Sequence, residues 1–264
     1  MSVLPPFSHV RPTTMEDALE AISEDAVPYA GGTELLLAMK AGLLRPDALI
    51  DVKRIDRMHL IESDGNPVVI GGSVTHQEAR SDAGIRSRLP VLADVLGKVG
   101  NPRVRAVGTL GGNLCFAEPK SDVATILIAL GGRVTLVSRD GERDLDVEEF
   151  IIGPYTTTRG DHEILTEISV PLDRSRAVYM KYQTMERPTV GVAASVGPDG
   201  DVRLVVGAVA GAPHLFTATG LGDIDPGEVA GTVEIIPDMT GSERYKRHIT
   251  ELYVERVVAA LETI

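Results

Sequence analysis

Two stretches decide the reading of this chain: Gly108-Thr109-Leu110-Gly111-Gly112-Asn113-Leu114 and Ala30-Gly31-Gly32-Thr33-Glu34-Leu35. Each leads toward a segment with helical character. Paired glycines let a backbone turn where other residues clash, and they let a ligand approach the main chain closely. Successive N–H groups in such a turn form a concavity for anions. Taken singly, either stretch reads more readily as a plain strand-to-helix turn. Taken together, they point to a double clamp on a diphosphate. Neither is a G-x-G-x-x-G fingerprint, and no G-x-x-x-x-G-K-[ST] occurs, which disfavours a Rossmann site or a P-loop. No G-x-S-x-G elbow is present for hydrolysis.

The polar residues around the second stretch add to this. Thr109 and Asn113 flank its glycine pair and can donate to phosphate or ribose oxygens. Ser121 and Asp122 follow within one short loop. Asp122 reads either as a helix N-cap or as an acceptor for ribose hydroxyls, as acidic groups are in dinucleotide sites.

Composition narrows the function classes. With 264 residues the chain can bury a real core, and 43% hydrophobic content argues against disorder. A net charge of −12 argues against nucleic acid, which needs a concentrated basic surface. Aromatics are too scarce, at 4%, for base-stacking platforms. No apolar run is long enough to span a bilayer. Met1 to Pro6 has no basic region followed by an apolar stretch, so a secretory signal is not expected and a cytoplasmic location is. Cys115 is the single cysteine. It excludes an internal disulfide and fits a reducing compartment, and it excludes an iron–sulfur cluster held by this chain alone. The six histidines are scattered, so no metal site is expected.

The element pattern is mixed α and β. Residues 13–22 read as a helix with Thr13 and Glu16 as a capping box. Val27 to Ala30 is a strand, Glu34 to Ala41 a helix stopped at Gly42, and Ala48 to Val52 a strand. A hairpin turns around Asp64-Gly65-Asn66. Thr75 and Glu78 form another capping box, and helical periodicity over Ile85 to Val99 is broken at Pro90. Ser121 or Asp122 caps an apolar helix over Val123 to Leu130. Arg133 to Asp146 is a hairpin, and Ile164 to Val170 a strand. A boundary is placed at Leu172 to Arg176. Beyond it, Ala177 to Met185, Val190 to Val196 and Val202 to Val209 predict an antiparallel meander. Ser242 to Ile264 is a long amphipathic helix with Tyr245, Ile249, Leu252, Tyr253, Val257 and Leu261 toward one face.

At the glycine stretches the chain resembles a known family. Gly108 to Leu114, followed by Glu118-Pro119-Lys120-Ser121-Asp122, is similar to the FAD-binding signature of the xanthine dehydrogenase and carbon monoxide dehydrogenase family of molybdenum hydroxylases. Ala30 to Leu35 resembles that family's first pyrophosphate loop, and Arg103-Val104-Arg105 its lead-in to the second. The likeness extends to Glu163 to Ile168, Tyr179-Met180-Lys181-Tyr182 and Gly241 to Arg247.

The resemblance implies a medium, FAD-binding subunit with a vanillyl-alcohol-oxidase-type (PCMH) FAD domain of α+β class. That domain would span residues 1–173 in two subdomains (about 1–55 and 56–173), followed by a small C-terminal α+β domain, 174–264, with an antiparallel sheet. It implies that Ala30, Gly31, Gly32, Thr33, Glu34 and Leu35, with Thr109, Gly112 and Asn113, hold the pyrophosphate. Ser121 belongs to the same site, Asp122 faces the adenosine ribose, and Leu165 and Lys181 line the adenine and flavin surroundings. Val190 falls near the isoalloxazine ring. Glu34 reads either as a group near the flavin or as the start of a helix, complementing its dipole. Cys115 reads as a thiol near the flavin or as a small buried hydrophobe. Arg103 and Arg105 read as diphosphate counter-charges or as residues of the turn.

Two departures stand out. Val99 replaces an aromatic residue, and Arg187-Pro188-Thr189-Val190 lacks an acidic residue usual after the arginine. The molybdenum cofactor and two [2Fe-2S] clusters would lie on a large and a small partner subunit, with this chain passing their electrons to an external acceptor. A self-sufficient flavin oxidase of related fold is the alternative.

Overall fold

The computed structural model describes residues 4–264, and three sheets organise it. The first is parallel, in the order β1 (Ser8–Val10), β3 (Ala48–Asp51), β2 (Ala26–Tyr29). Parallel neighbours need crossovers. They are supplied by α1 (Met15–Ala21) between β1 and β2 and α2 (Leu35–Lys40) between β2 and β3. The cap of α1 is Thr14, which accepts from Asp17 N at 3.1 Å, one residue later than the expected Thr13–Glu16 box. Gly42 ends α2 at φ +76°, as its position implies.

The second sheet is antiparallel, in the order β4 (Ile61–Glu62), β5 (Val68–Gly71), β10 (Ile164–Val170), β6 (Arg133–Ser138), β7 (Gly141–Asp146). Between its halves runs a helical block: α3 (His76–Ser81), α4 (Ala83–Arg88), α5 (Pro90–Gly97), α6 (Pro102–Val107), α7 (Leu110–Phe116) and α8 (Asp122–Ala129). Thr75 and Glu78 form the expected capping box, and Pro90 sits at the first position of α5. A short helix α9 (Val147–Phe150) and the pair β8 (Ile151–Gly153) and β9 (Thr156–Thr157) complete this part.

The third sheet is an antiparallel meander of β11 (Ala177–Tyr182), β12 (Val190–Val196), β13 (Val202–Gly207) and β14 (His214–Ala218). Every residue of β12 is buried, because both faces of the strand are covered. One face meets α8; the other meets α11 (Glu243–Thr263), which follows α10 (Pro226–Thr232). Helix α8 is buried throughout, which explains its apolar character on all sides. It lies so close to β13 that a Cβ on Gly207 would run into Thr125 Oγ1. Ser195 Oγ donates to Ala129 O at 2.5 Å, and Arg203 Nε donates to Ile128 O at 3.1 Å. The C-terminal end of α8 is thus satisfied by the third sheet.

The buried stripe of α11 is Lys246, Thr250, Val254, Val257 and Leu261; Val257 and Leu261 belong to the expected face, whose Ile249 and Tyr253 pack partly buried on the same core. Tyr245 is exposed, and Lys246 is buried with its Nζ on Ile236 O at 2.9 Å and on Asp238 at 2.9 Å. Lys120 binds the other Asp238 oxygen at 2.6 Å. Asp238 thereby ties the α7–α8 connection to the last helix, and its two ammonium partners hold its carboxyl far below the usual range despite the cost of burial. Among the described residues no helix is long and apolar enough to cross a membrane.

Candidate functional site

Three glycine-bearing turns converge between the first and second sheets. The first connects β2 to α2. Gly32 stands there at φ +67°, and a Cβ would press on the Tyr29 ring at 2.5 Å, so the turn requires glycine. Lys53 Nζ donates to Ala30 O at 3.0 Å and pairs with Asp51 at 2.8 Å, fixing the start of the turn. Among the described residues no protein acceptor takes the N–H groups of Gly31, Gly32, Thr33 or Glu34. Four consecutive free donors around one left-handed residue make a nest for an anion.

The second stretch is built otherwise. It is not a loop: Thr109 caps α7, and Gly111, Gly112 and Asn113 lie in the helix's first turns. Its amides are already used. Leu110 N donates to Val74 O at 3.0 Å and Gly111 N to Gly72 O at 3.1 Å. Gly112 N donates to Thr109 Oγ1 at 3.1 Å and Asn113 N to Thr109 O at 3.0 Å. Free main-chain amides are therefore found, of these two stretches, in the first only. The second contributes a smooth surface. Gly111 is packed against the backbone of Gly72, whereas a Cβ on the exposed Gly112 would meet only Thr109 Oγ1.

The two stretches touch. A Cβ on Gly31 would collide with the carbonyl oxygen of Val107 and stand 2.9 Å from Gly108 Cα. Thr33 Oγ1 lies on the other side of Gly108, 3.5 Å from where its Cβ would be. The third turn, Gly71 to Thr75, was not singled out from the sequence, although its glycine pair was a signal. It carries Gly72 against Gly111, and beside it the buried Ser73 Oγ and His76 Nδ1 have no partner. Burial, with the Arg105 charge adding to it, lowers the His76 pKa to about 4, so the ring is neutral near pH 7.

Asn113 and Ser121 meet directly, Ser121 Oγ donating to Asn113 Oδ1 at 2.7 Å, and Ser121 also caps α8. Asp122, first in α8, is buried and grips two residues of β11: Lys181 Nζ at 2.6 Å and the hydroxyl of Tyr179. Burial and the Asp122 charge push the Tyr179 phenol well above 10, so it is a donor here. Lys181 and Asp122 are thus one ion pair, and Tyr179 completes it. Leu165 differs. It sits at the β10 bulge with its side chain in the main core, and only its carbonyl adjoins the glycine turns, against Gly72. Leu35, half-buried, opens α2.

Glu34 does not bond its own helix end; it pairs with Arg187 at 2.8 Å. Arg187 also binds Glu118 at 3.0 Å, and Tyr155 donates to Glu118 at 3.0 Å. Cys115 packs against the main core, and burial pushes its thiol up to about 11 against the opposing charge of Arg159. Arg103 is exposed, whereas Arg105 closes the preceding turn through Val99 O at 3.0 Å and Gly100 O at 3.1 Å. Val190 is fully buried in the C-terminal core, and Val99 packs on the main one.

Residues 5–173 match the family described as the FAD binding domain in molybdopterin dehydrogenase. The chain belongs to the FAD-binding medium subunits of the xanthine dehydrogenase and carbon monoxide dehydrogenase family. It is 27% identical over 277 residues to the nicotine 6-hydroxylase medium subunit of Paenarthrobacter nicotinovorans, covering 97% of both chains. It is 32% identical over 180 residues to the glyceraldehyde dehydrogenase medium chain of Sulfolobus acidocaldarius. That match covers 67% of this chain and just under two thirds, 64%, of the relative's length. The fold matches a solved carbon monoxide dehydrogenase from Hydrogenophaga pseudoflava with TM-score 0.88 at 25% identity, over 99% of each chain. It also matches a reconstituted CO dehydrogenase from Oligotropha carboxidovorans, with TM-score 0.90 at 24% identity over 97% of this chain and 98% of the other. The architecture is the expected α+β, PCMH-type fold with subdomains. The medium-subunit glycine turns fit the cofactor that gives the family its name: free N–H groups suit the diphosphate, and the bare Gly112 suits its close approach.

Proposed function

We propose that this chain is the electron-transfer subunit of a heteromeric molybdenum hydroxylase, taking electrons from [2Fe-2S] clusters on a small partner and passing them through FAD to an external acceptor. Substrate oxidation would occur at a molybdenum cofactor on a large partner subunit. The observation that carries this reading is the nest of four unpaired amides, Gly31 to Glu34, lying against the junction of α6 and α7, at the start of the helix that carries Gly112. The nest would hold the diphosphate, with Ala30, Leu35 and Thr109 shaping its walls and Asn113, joined to Ser121, presenting its amide group. Asp122 and Lys181, held with Tyr179, would meet the ribose side, with the carbonyl of Leu165 backing the Gly72 turn. Bound FAD would supply the redox chemistry. The chain's residues bind it, orient it and set the charge around it. Residues 1–55, 56–173 and 174–264, each with its own sheet, are the proposed units. No cluster of His, Cys, Asp or Glu among the described residues is arranged to hold a metal ion.

The experiment is to purify the tagged full-length chain from its native cells and quantify flavin, iron and molybdenum. One FAD with four iron atoms and one molybdenum per chain supports the reading. A chain that purifies alone with flavin and oxidises a small molecule unaided overturns it in favour of a self-sufficient oxidase.

A further inference from the structure

The β11–β12 connection, residues 183–189, is a short strap braced by its own bonds. Gln183 donates to Met185 O at 2.7 Å and to Glu186 O at 3.0 Å, and Thr189 N donates to Tyr182 O at 2.8 Å. At the strap's base, Tyr179 and Lys181 hold Asp122. Near its tip, Arg187 reaches across to Glu34 in the first glycine turn (2.8 Å) and to Glu118 after α7 (3.0 Å). One guanidinium therefore links the two glycine-bearing segments. The placement of Glu34 poses an electrostatic problem: its N–H belongs to the anion nest, yet its carboxylate is negative. Glu118, largely shielded from solvent, adds a second negative charge. A diphosphate in the nest would be repelled by both. Among the described residues Arg187 is the one cation bonded to both, and a planar guanidinium is suited to bridging two carboxylates.

We infer that Arg187 is a positioning residue for the cofactor: it neutralises Glu34 and Glu118 so that an acidic turn can accept an anionic diphosphate, and it holds the β11–β12 strap across the site. This rests on the FAD-binding reading above. Tyr155 supports it by donating to Glu118 from the β8–β9 turn.

The test measures equilibrium FAD affinity of the full chain, by flavin fluorescence, across a series of salt concentrations. Arg187→Met is expected to weaken FAD at low salt by about 10-fold or more, and the defect is expected to shrink as salt screens the bare carboxylates. The decisive variant is Arg187→Met combined with Glu34→Gln and Glu118→Gln. Removing both stranded charges is expected to restore affinity to within about 3-fold of the parent. Arg187→Met with Glu34→Gln, which still strands Glu118, is the second variant and is expected to recover part of the loss. If the triple variant binds no better than Arg187→Met, or if the defect is independent of salt, the inference is overturned. If the parent chain itself takes up no FAD, the FAD-binding reading falls. If the parent binds FAD and Arg187→Met binds it equally at low salt, only this inference falls.

Discussion

Gly31 and Val107 are in contact across the join between the first and second sheets, the missing side chain of one making room for the carbonyl oxygen of the other. This contact brings the nest of free amides to the start of the helix that carries Gly112. The obstacle to a Cβ at Gly31 is backbone, which cannot swing aside as a side chain can. Gly31→Ala is therefore expected to destabilise the chain by about 3 kcal/mol through overpacking. It is also expected to abolish FAD retention, because the two segments would be pushed apart. Urea denaturation and flavin content read the two effects. A variant with parental stability would contradict the contact.

Gly112→Leu separates folding from binding. A side chain here meets only the capping hydroxyl of Thr109, so the cost is the loss of one cap, about 1 kcal/mol. Replacing glycine inside a helix returns about the same amount. Stability is expected to stay within about 1 kcal/mol of the parent, while the side chain occupies the surface where a phosphate would approach. Loss of FAD with an unchanged denaturation midpoint is the expected outcome.

Lys181 and Asp122 form an ion pair in which Asp122 is largely buried. Removing one partner strands the other charge, so Lys181→Met is expected to cost about 3–5 kcal/mol. Asp122→Leu with Lys181→Met removes both charges and is expected to recover most of that loss. Denaturation of the single and double variants checks it: an equal loss in both would contradict the cost of a stranded Asp122 charge.

His76 gives a pH dependence of known sign. Burial lowers its folded-state pKa to about 4, below the ordinary 6.5. Between these values the unfolded chain binds a proton that the folded chain refuses. Stability from this residue is therefore complete above about pH 6.5 and is lost as pH falls toward 4, by on the order of 3 kcal/mol. His76→Gln is expected to flatten that part of the stability curve. Parallel curves for parent and variant between pH 4 and 6.5 would contradict it.

Much of the fold was legible because its signals are local. Thr75 with Glu78, Pro90, Gly42 and the Asp140-Gly141 turn mark boundaries through caps, a breaker and turn residues that need no partner. The second glycine stretch misled for a related reason. Glycines are poor helix formers, yet α7 forms because Val74 and Gly72 accept its first amides, acceptors that lie about forty residues away in sequence. On α11 the expected face stands at Val257 and Leu261, which are buried, and at Ile249 and Tyr253, which pack on the same core; Tyr245 is exposed instead, and Lys246, polar in composition, is buried with its ammonium satisfied by Ile236 O and Asp238. In the site, the glycines and the pair Asp122–Lys181 were readable as types. Glu118 and Arg187 were visible only as motif residues and Tyr155 not at all, since nothing local announces a bridge between residues 34, 118 and 187.

The central claim is that one diphosphate lies between the Gly31–Glu34 amides and Gly112. A crystal structure of the chain with FAD measures this directly. The account predicts diphosphate oxygens within about 3.2 Å of several of those four nitrogens, a hydrogen-bonding distance, with the phosphate resting on Gly112. A diphosphate bound elsewhere, with those amides facing solvent, would contradict it.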